Sequence, residues 1–187
     1  HKRAYSIRRN LFGEQNIDSI FSLYNIGNVY ADTKRYAQAL LHHQKAVETM
    51  TDDMPFTKED KADLYGAYGS SLIRNNKFKE GMDYLTKSAE YTKEFAGENS
   101  FVYMSALLKI ARAYEKSECY KESRVFYEKA IDLRSRIMDK KHFDYVYTLN
   151  MYCGVLEKLC EFEKIIEIQR DCQKFIEELT GKEHILY

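Results

Sequence analysis

The chain has 187 residues, with 29 basic and 29 acidic side chains and therefore no formal net charge. This balance argues against a general binder of nucleic acid or of anionic membranes, because both classes need a basic excess. A single proline, only eight glycines and abundant Lys, Glu, Leu and Ala favour an all-α fold.

The apolar spacing predicts a leading helix over 1–11 and then four helix pairs. The pairs are expected at 17–33 and 36–51, 58–75 and 78–95, 100–117 and 120–137, and 142–159 and 162–180. Large apolar residues recur at intervals of three and four in each first helix, as Leu23, Ile26 and Tyr30 do. We interpret them as core residues, not as a cofactor site. No apolar run approaches the roughly 20 residues that span a bilayer.

The sequence repeats itself every 42 residues without insertion or deletion. One position of the repeat stays small along the chain, in Gly27, Gly69, Ala111 and Cys153. A second small position is held by Ala4, Ala46, Ser88, Ala130 and Cys172. A fixed period of this size is typical of stacked helical units. We predict one array over 1–187, with a half repeat at 1–16 and repeats at about 17–57, 58–99, 100–141 and 142–181.

Small side chains at these positions let the two helices of a pair approach closely. Gly27 costs about 1 kcal/mol inside a helix relative to alanine, and tighter packing is expected to offset that cost. A third position is alanine in the first repeat, Ala39, but Gly81, Ser123 and Ile165 in the later ones. We expect these departures to weaken the individual repeats.

The residues Gly27, Ala39 and Ala46 resemble the small-residue pattern of the tetratricopeptide repeat (TPR) family. The usual period of that family is 34 residues, and the longer period here is similar to the kinesin light chain type of repeat. The resemblance implies a right-handed α-solenoid of stacked antiparallel helix hairpins, with four full repeats and a leading half. Glycines that end second helices are expected in the inter-repeat loops, at Gly13, Gly97 and Gly181, with Asp139 in the corresponding place of the third repeat.

Both ends of the sequence break inside the repeat pattern. We therefore expect the parent chain to continue in both directions. We also expect that uncapped ends allow self-association of the fragment.

The sequence carries no motif that is typical of a catalytic site. The sequence has no Gly-rich phosphate loop, no GxSxG elbow and no HExxH motif, so we predict no enzyme, no cofactor and no metal. His42 and His43 are adjacent on a helix, and their side chains diverge by about 100°. Cys153 and Cys172 are expected to pack as reduced thiols, with a disulfide switch as the alternative. Reduced cysteines fit a cytoplasmic protein.

In a stack of this type, the first helices line the concave side. Phe21 and Tyr24 form an aromatic platform there, and Asn25 and Asn28 are placed to bond a peptide backbone. Gly66, Ala67, Ser70 and Ile73 fall on the same surface, the first three as a small-residue floor. The predicted groove residues are Phe21, Tyr24, Asn25, Asn28, Arg74, Leu108, Lys109, Arg112, Lys116, Tyr147, Asn150 and Met151.

Four of these residues, Arg74, Lys109, Arg112 and Lys116, are expected to form one basic cluster. The groove would suit an acidic peptide with an apolar anchor. Chaperone-tail binders of the family hold a carboxylate with lysines and asparagines on this surface; Asn28 and Arg112 match them, but Leu108 stands where a lysine is wanted. Kinesin light chains use asparagines, which Asn25 and Asn150 match.

We therefore predict a protein-interaction scaffold or adaptor that binds a peptide or partner helix, with no nucleic acid and no membrane partner. Two alternatives stay open. One is a structural subunit of a cytoskeletal or ciliary assembly, which would place the cytoplasmic protein at the cytoskeleton or cilium. The other is a bacterial peptide-sensing regulatory domain.

Overall fold

The computed structural model describes residues 1–137 and 143–180, and all regular structure within these ranges is helical. The helices are α1 (Lys2–Phe12), α2 (Ile17–Asp32), α3 (Tyr36–Glu48), α4 (Lys58–Arg74), α5 (Phe78–Ala96), α6 (Phe101–Lys116), α7 (Tyr120–Ile137), α8 (Phe143–Lys158) and α9 (Phe162–Thr180). The predicted boundaries are confirmed to within one residue except at the end of α3. There the Thr49 hydroxyl donates to the carbonyl of Lys45 at 2.6 Å, and the helix stops three residues before the predicted position 51.

Polar side chains cap the N-termini of the first helices α2, α4 and α6. The Asn16 side chain accepts from the backbone N–H of Asp18 before α2, and Ser100 accepts from Tyr103 before α6. At α4, Thr57 and Asp60 form a reciprocal capping box. Such caps satisfy N–H groups that have no partner inside the helix.

The turn inside every pair uses the left-handed backbone region at one fixed repeat position. Its φ angle lies between 59° and 62° at four residues that are not glycine, namely Lys34, Asn76, Glu118 and Cys160. Glycine ends two of the other helices, where Gly13 (φ 84°) and Gly97 (φ 82°) follow α1 and α5 as predicted, whereas Thr49 follows α3 in the right-handed helical region. The corresponding predictions for Asp139 and Gly181 lie outside the described residues.

The chain divides into two compact units, His1–Glu98 and Asn99–Tyr187. In the first unit, Ile20, Leu23, Ala46 and Leu64 form one buried cluster, and Ile26, Tyr30 and Ala39 form another. The predicted grouping of all repeats into a single array stays a prediction.

Two glycines bring α4 and α5 together in the first unit. A Cβ built on Gly69 would lie 2.9 Å from the backbone oxygen of Gly81, and a Cβ on Gly81 would lie 2.9 Å from the oxygen of Gly69. Contact between the two backbones therefore needs glycine on both helices. The expectation that Gly81 weakens its repeat stays a prediction.

The second unit is built around two buried clusters. Met104, Leu107, Ala130 and Leu133 join α6 to α7. The second cluster extends the core to α8 and consists of Ala111, Tyr127, Tyr152, Val155 and Leu156.

Ser123 links α7 to α6 in the second unit. Its side chain is fully buried, and its hydroxyl donates to the carbonyl of Ala111 at 2.9 Å. The expectation that Ser123 weakens its repeat stays a prediction as well. Ile165, the third departure, packs against the Ala111 cluster.

Among the described helices, none combines the length and the apolar character that crossing a bilayer requires.

Candidate functional site

The predicted binding residues all lie on α2, α4, α6 and α8, the first helices of the four pairs. In each compact unit, we call the surface of these helices that carries the predicted residues its first-helix face. Helices α2 and α4 belong to the first compact unit, and α6 and α8 belong to the second.

An aromatic platform stands at the start of α2. The rings of Phe21 and Tyr24 meet edge-on with centroids 6.2 Å apart. Phe56 adds a third ring 6.1 Å from Phe21. Sequence reasoning missed Phe56, although its position beside Pro55, in the loop that departs most from the repeat pattern, was a signal. All three rings are half-buried, so each keeps an exposed part.

A buried histidine supports this platform from behind. His43, on α3, is 2 % exposed. Its Nε2 lies 3.3 Å from the carbonyl of Tyr24 and 3.2 Å from the Oδ1 of Asn28. Both partner atoms are carbonyl oxygens, which only accept hydrogen bonds, so the proton of the neutral His43 ring lies on Nε2. The Nδ1 atom then accepts from the Ser71 hydroxyl at 2.7 Å.

This network fixes the polar groups of α2. Burial lowers the pKa of His43 to about 4, so the ring is neutral near pH 7. Burial raises the pKa of Tyr24, while a hydrogen bond from Asn28 lowers it and the nearby Asp63 carboxylate raises it again. The Asn28 carbonyl is thus held by His43, and its amide lies at the Tyr24 hydroxyl. Asn25 is half-buried on the same helix.

The predicted small-residue floor on α4 lies deeper than expected. Gly66 is buried, and its carbonyl accepts from the Ser70 hydroxyl at 2.7 Å. Ile73 is 6 % exposed and packs where a Cβ on Gly81 would stand. Its assignment to the binding surface is therefore wrong, because it belongs to the core between α4 and α5.

Arg74 ends α4 as an exposed side chain. Its guanidinium lies 4.9 Å from the centroid of the Tyr36 ring and donates to the Tyr36 hydroxyl at 3.2 Å. Cation–π contact thus orients Arg74 on the neighbouring helix pair.

The second unit carries a basic stripe on α6, which we define as Lys109, Arg112 and Lys116. All three side chains are exposed. Residues three, four and seven apart share one face of a helix, so the three charges point the same way. Arg74 belongs to the other compact unit. That Arg74 and the basic stripe form one cluster stays a prediction.

A second-helix residue that sequence reasoning missed lies beside the basic stripe. Tyr127, on α7, is buried, and its hydroxyl donates to Glu115 at 2.9 Å. Burial, followed by the Glu115 carboxylate, raises the pKa of Tyr127, whereas the charge of Arg112 lowers it and Tyr147 raises it. The charges of Arg112 and Tyr147, both predicted binding residues, therefore influence this hydroxyl.

The remaining predicted residues divide by exposure. Leu108 and Met151 are half-buried and pack on the core cluster around Ala111. Asn150 is exposed, and Tyr147 is 61 % exposed. Large apolar surface and exposed charge therefore occur together on the first-helix face of the second unit.

The histidines and cysteines of the part of the chain that the structure describes form no ligand set. His42 stacks on Tyr30 with centroids 5.4 Å apart, away from the buried His43. All four cysteines are free thiols. Burial raises the pKa of Cys172, and a charge on Cys153 would raise it further, which indicates that these two thiols are close. Within the described part of the chain, no group of three or more His, Cys, Asp or Glu side chains could hold a metal.

Comparisons with known proteins agree with this architecture. Tetratricopeptide repeat family models match residues 1–52 and 105–136. The tetratricopeptide repeat protein 23 of Rattus norvegicus is 23% identical over 172 residues, covering 84% of this chain and 39% of the relative. The same protein of Mus musculus is 23% identical, with 35% of its length covered. The chain thus spans less than two fifths of the length of these curated relatives.

Solved structures show the same fold at low sequence identity. BtubC (BKLC) from P. vanneervenii has a TM-score of 0.79 at 17% identity, with 98% of this chain and 76% of that chain covered. The nearly identical TPR-like repeats of a Podosopora anserina kinesin light chain candidate reach 0.77 at 10% identity, covering 97% and 86%. The apo form of RapI reaches 0.72 at 16% identity, covering 95% and 63%.

Proposed function

Because the chain belongs to the tetratricopeptide repeat family, whose fold generally mediates protein–protein interaction, we propose that its first-helix face binds an acidic peptide or partner helix. The proposal assigns this chain the role of a scaffold or adaptor. It rests on one observation, the exposed basic stripe that borders half-buried apolar side chains on the second unit.

The basic stripe supplies the charge recognition. Three exposed cations on one helix face attract a carboxylate-bearing ligand, and hydrogen bonds to charged groups contribute about 1.5–3 kcal/mol each. Arg112, the middle member of the stripe, is exposed, and its positive charge acts on the Tyr127 hydroxyl, which donates to Glu115 at 2.9 Å.

Apolar surface beside these charges supplies the anchor. Tyr147 exposes 61 % of its surface, and Leu108 and Met151 are half-buried on the same unit. A buried anchor contributes most of the binding energy in many peptide complexes, while charged borders set specificity and association rate. In the first unit, the platform of Phe21, Tyr24 and Phe56 offers a second apolar contact.

A charge-reversal pair tests the proposal. The double variant K109E/R112E changes the basic stripe, and K121E/K174E makes the same change in net charge at exposed positions on second helices. Both are compared with the unmodified protein on an array of peptides that combine Asp or Glu with Leu, Phe or Tyr. Circular dichroism checks that helix content is unchanged.

We expect the unmodified protein and K121E/K174E to bind the same acidic peptides, and K109E/R112E to bind them at least about tenfold more weakly. The difference should shrink as salt is raised, since exposed charges are screened. Equal binding by all three proteins would remove the assignment of the first-helix face.

A further inference from the structure

Helix α6 begins with two large apolar side chains that stay half exposed. Phe101 and Val102 each keep 48 % of their surface accessible. The position of Val102 holds Asp18 and Asp60 in the two earlier repeats, and α6 differs from α2 and α4 in having no acidic residue in its first turn. Helix pairs precede and follow α6 in the sequence, so this exposure does not come from an end of the repeat pattern. We call Phe101 and Val102 the apolar end of α6.

The apolar end continues the line of the basic stripe on the same helix. Val102 precedes Lys109 by seven residues, and Phe101 precedes Arg112 by eleven. Residues three, four and seven apart share one face of a helix, so the apolar end and the basic stripe lie on one face. That face is therefore apolar in the first turn of α6 and basic over its second half.

The side chains between the two parts are already engaged within the chain. Ser105 donates to the carbonyl of Phe101 at 3.0 Å, and Leu108 packs on the core cluster around Ala111. Glu115 is the one acidic residue of α6, and it accepts from the Tyr127 hydroxyl at 2.9 Å. The positive charge of the stripe is therefore not cancelled by an adjacent free carboxylate of its own helix.

The core side of α6 is formed by other residues. Those that pack inside the second unit are buried, namely Met104, Leu107, Ile110 and Ala111. A helix that binds a lipid surface exposes an apolar face along its length, whereas α6 exposes large apolar side chains only in its first turn. Apolar surface at one end and cations at the other instead fit a ligand that carries both an apolar group and carboxylates.

The side chains of this face favour an extended peptide over a partner helix. Close contact between helices in this chain uses small residues, as where Gly69 meets the backbone of Gly81 and where Ser123 bonds the carbonyl of Ala111. The exposed face of α6 offers one small residue, Ser105, among long side chains. Long side chains keep the backbone of a partner helix at a distance, but they can reach the side chains of an extended peptide.

The geometry of α6 sets the spacing within the ligand. Each residue of an α-helix advances by about 1.5 Å along the axis, so Phe101 and Arg112 lie about 16 Å apart. An extended peptide advances by about 3.3 Å per residue. It therefore covers this separation in about five residues.

We propose that the second unit binds an extended acidic peptide at two points on α6. A large apolar side chain of the peptide packs on the apolar end, and carboxylates about five residues away pair with Arg112 and Lys116. Phe101 and Val102 thus determine specificity for the spacing between the two groups. This inference rests on the proposed function and deepens it, because it assigns the anchor and the charge to separate parts of one helix.

Synthetic peptides of fixed spacing test the inference. Each carries a fluorophore, one Phe and the segment Asp-Glu-Asp, separated by two, five or eight prolines, and each is made in both chain directions. Proline spacers are semi-rigid and advance by about 3.1 Å per residue, so five prolines span about 16 Å. A further peptide has Asp-Glu-Asp and five prolines without the Phe. Fluorescence anisotropy measures binding to the 187-residue protein.

Three variants are compared with the unmodified protein. F101Q/V102N removes the apolar end, and K109E/R112E reverses charges of the basic stripe. L41Q/V125N is the matched control, because it makes the same kind of change at residues that are 65 % and 41 % exposed on α3 and α7. All substitutions are at exposed positions, and circular dichroism checks that helix content is unchanged.

We expect the unmodified protein and L41Q/V125N to bind the five-proline peptide, in its better chain direction, at least about tenfold more tightly than the two- and eight-proline peptides. F101Q/V102N should lose this preference, because the Phe of the peptide no longer meets an apolar surface. It should still bind the peptide without Phe as tightly as the unmodified protein does. K109E/R112E should bind all the peptides weakly.

The same measurements separate this inference from the proposed function. If K109E/R112E weakens binding but the three spacers bind equally, or F101Q/V102N binds as L41Q/V125N does, the two-point arrangement is wrong and the proposed function stands. If K109E/R112E binds the peptides as the unmodified protein does, both are wrong.

Two other occupants of the apolar end would also overturn the inference. One is a second copy of the chain, shown by a dimer in light scattering that F101Q/V102N alone disperses. The other is a membrane, shown by binding to phosphatidylserine vesicles that F101Q/V102N abolishes and the five-proline peptide fails to inhibit.

Discussion

The His43 ring occupies the space where a side chain on Gly27 would begin. A Cβ built on Gly27 would lie 2.3 Å from both Cδ2 and Nε2 of the ring. From this place His43 reaches the Tyr24 carbonyl, Asn28 and Ser71, and so joins α2, α3 and α4. The glycine in α2 is thus explained by the imidazole that packs on it.

Gly27→Ala is expected to destabilise the protein. The methyl group would displace a ring that three hydrogen-bonding partners hold, and overpacking of this kind costs about 1–3 kcal/mol. Gly154→Ala is the matched control, since nothing lies within 4 Å of its Cβ. There alanine should stabilise α8 by up to about 1 kcal/mol. Urea unfolding followed by circular dichroism measures both; a Gly27→Ala protein as stable as the unmodified one would contradict the packing argument.

The same histidine makes stability depend on pH. Its pKa falls from the ordinary 6.5 to about 4 on folding because the ring is buried. The unfolded chain therefore takes up a proton that the folded chain does not. The contribution is fully present above pH 6.5 and is lost as the pH falls towards 4, by about 3 kcal/mol in all.

Melting temperatures between pH 7 and pH 4 test this expectation. His43→Gln removes the titrating group, so its stability should fall less steeply with pH, whatever its stability at pH 7. His1→Gln, at an exposed position, serves as the control. Parallel pH profiles for the two variants would show that His43 is not responsible.

At the scale of helices, α7 holds the second unit together through charged groups. Glu128 accepts from the Tyr152 hydroxyl of α8 at 2.6 Å and from Lys164 of α9 at 2.8 Å. Burial, and then the hydrogen bond to Glu128, raises the pKa of Tyr152 to about 12. One carboxylate thus links three helices across two repeats.

Glu128→Gln should lower the free energy of unfolding by about 1 kcal/mol, because two charge-assisted hydrogen bonds weaken at a half-exposed site. Asp132→Asn is the comparison on the same helix. Its ion pair with Arg136 is mostly exposed, with 66% and 59% of the two side chains accessible, and such pairs contribute about 0.3–0.5 kcal/mol. Chemical unfolding of the two variants compares them, and equal losses would show that Glu128 is no more than a surface charge.

For the whole molecule, a net charge of zero conceals local separation of charge. Helix α1 has four basic and no acidic residues, and the basic stripe of α6 carries three exposed cations. Charge balance over the chain therefore excludes a generally basic protein but does not exclude basic patches. The basic stripe borders half-buried apolar side chains, the combination on which the proposed function rests.

The helices and their core faces were readable from the residues alone, because a strict 42-residue period places each apolar and small position in the same environment. Leu23, Ile26 and Tyr30 are buried as predicted, and Ala111 is fully buried. The positive φ shared by Lys34, Asn76, Glu118 and Cys160 was not readable, since residues of four types adopt it under the constraint of the hairpin turn.

The contacts between side chains of different helices could be identified only from the tertiary structure. Periodicity states which face of a helix is buried, but the atoms that meet there are set by the approach of two backbones in space. Gly81 and Ser123 therefore read as departures from a pattern, whereas one allows contact with the backbone of Gly69 and the other bonds the carbonyl of Ala111. The link of Tyr127 to the candidate site could not be predicted for the same reason, because Arg112 and Tyr147, whose charges act on its hydroxyl, lie on other helices.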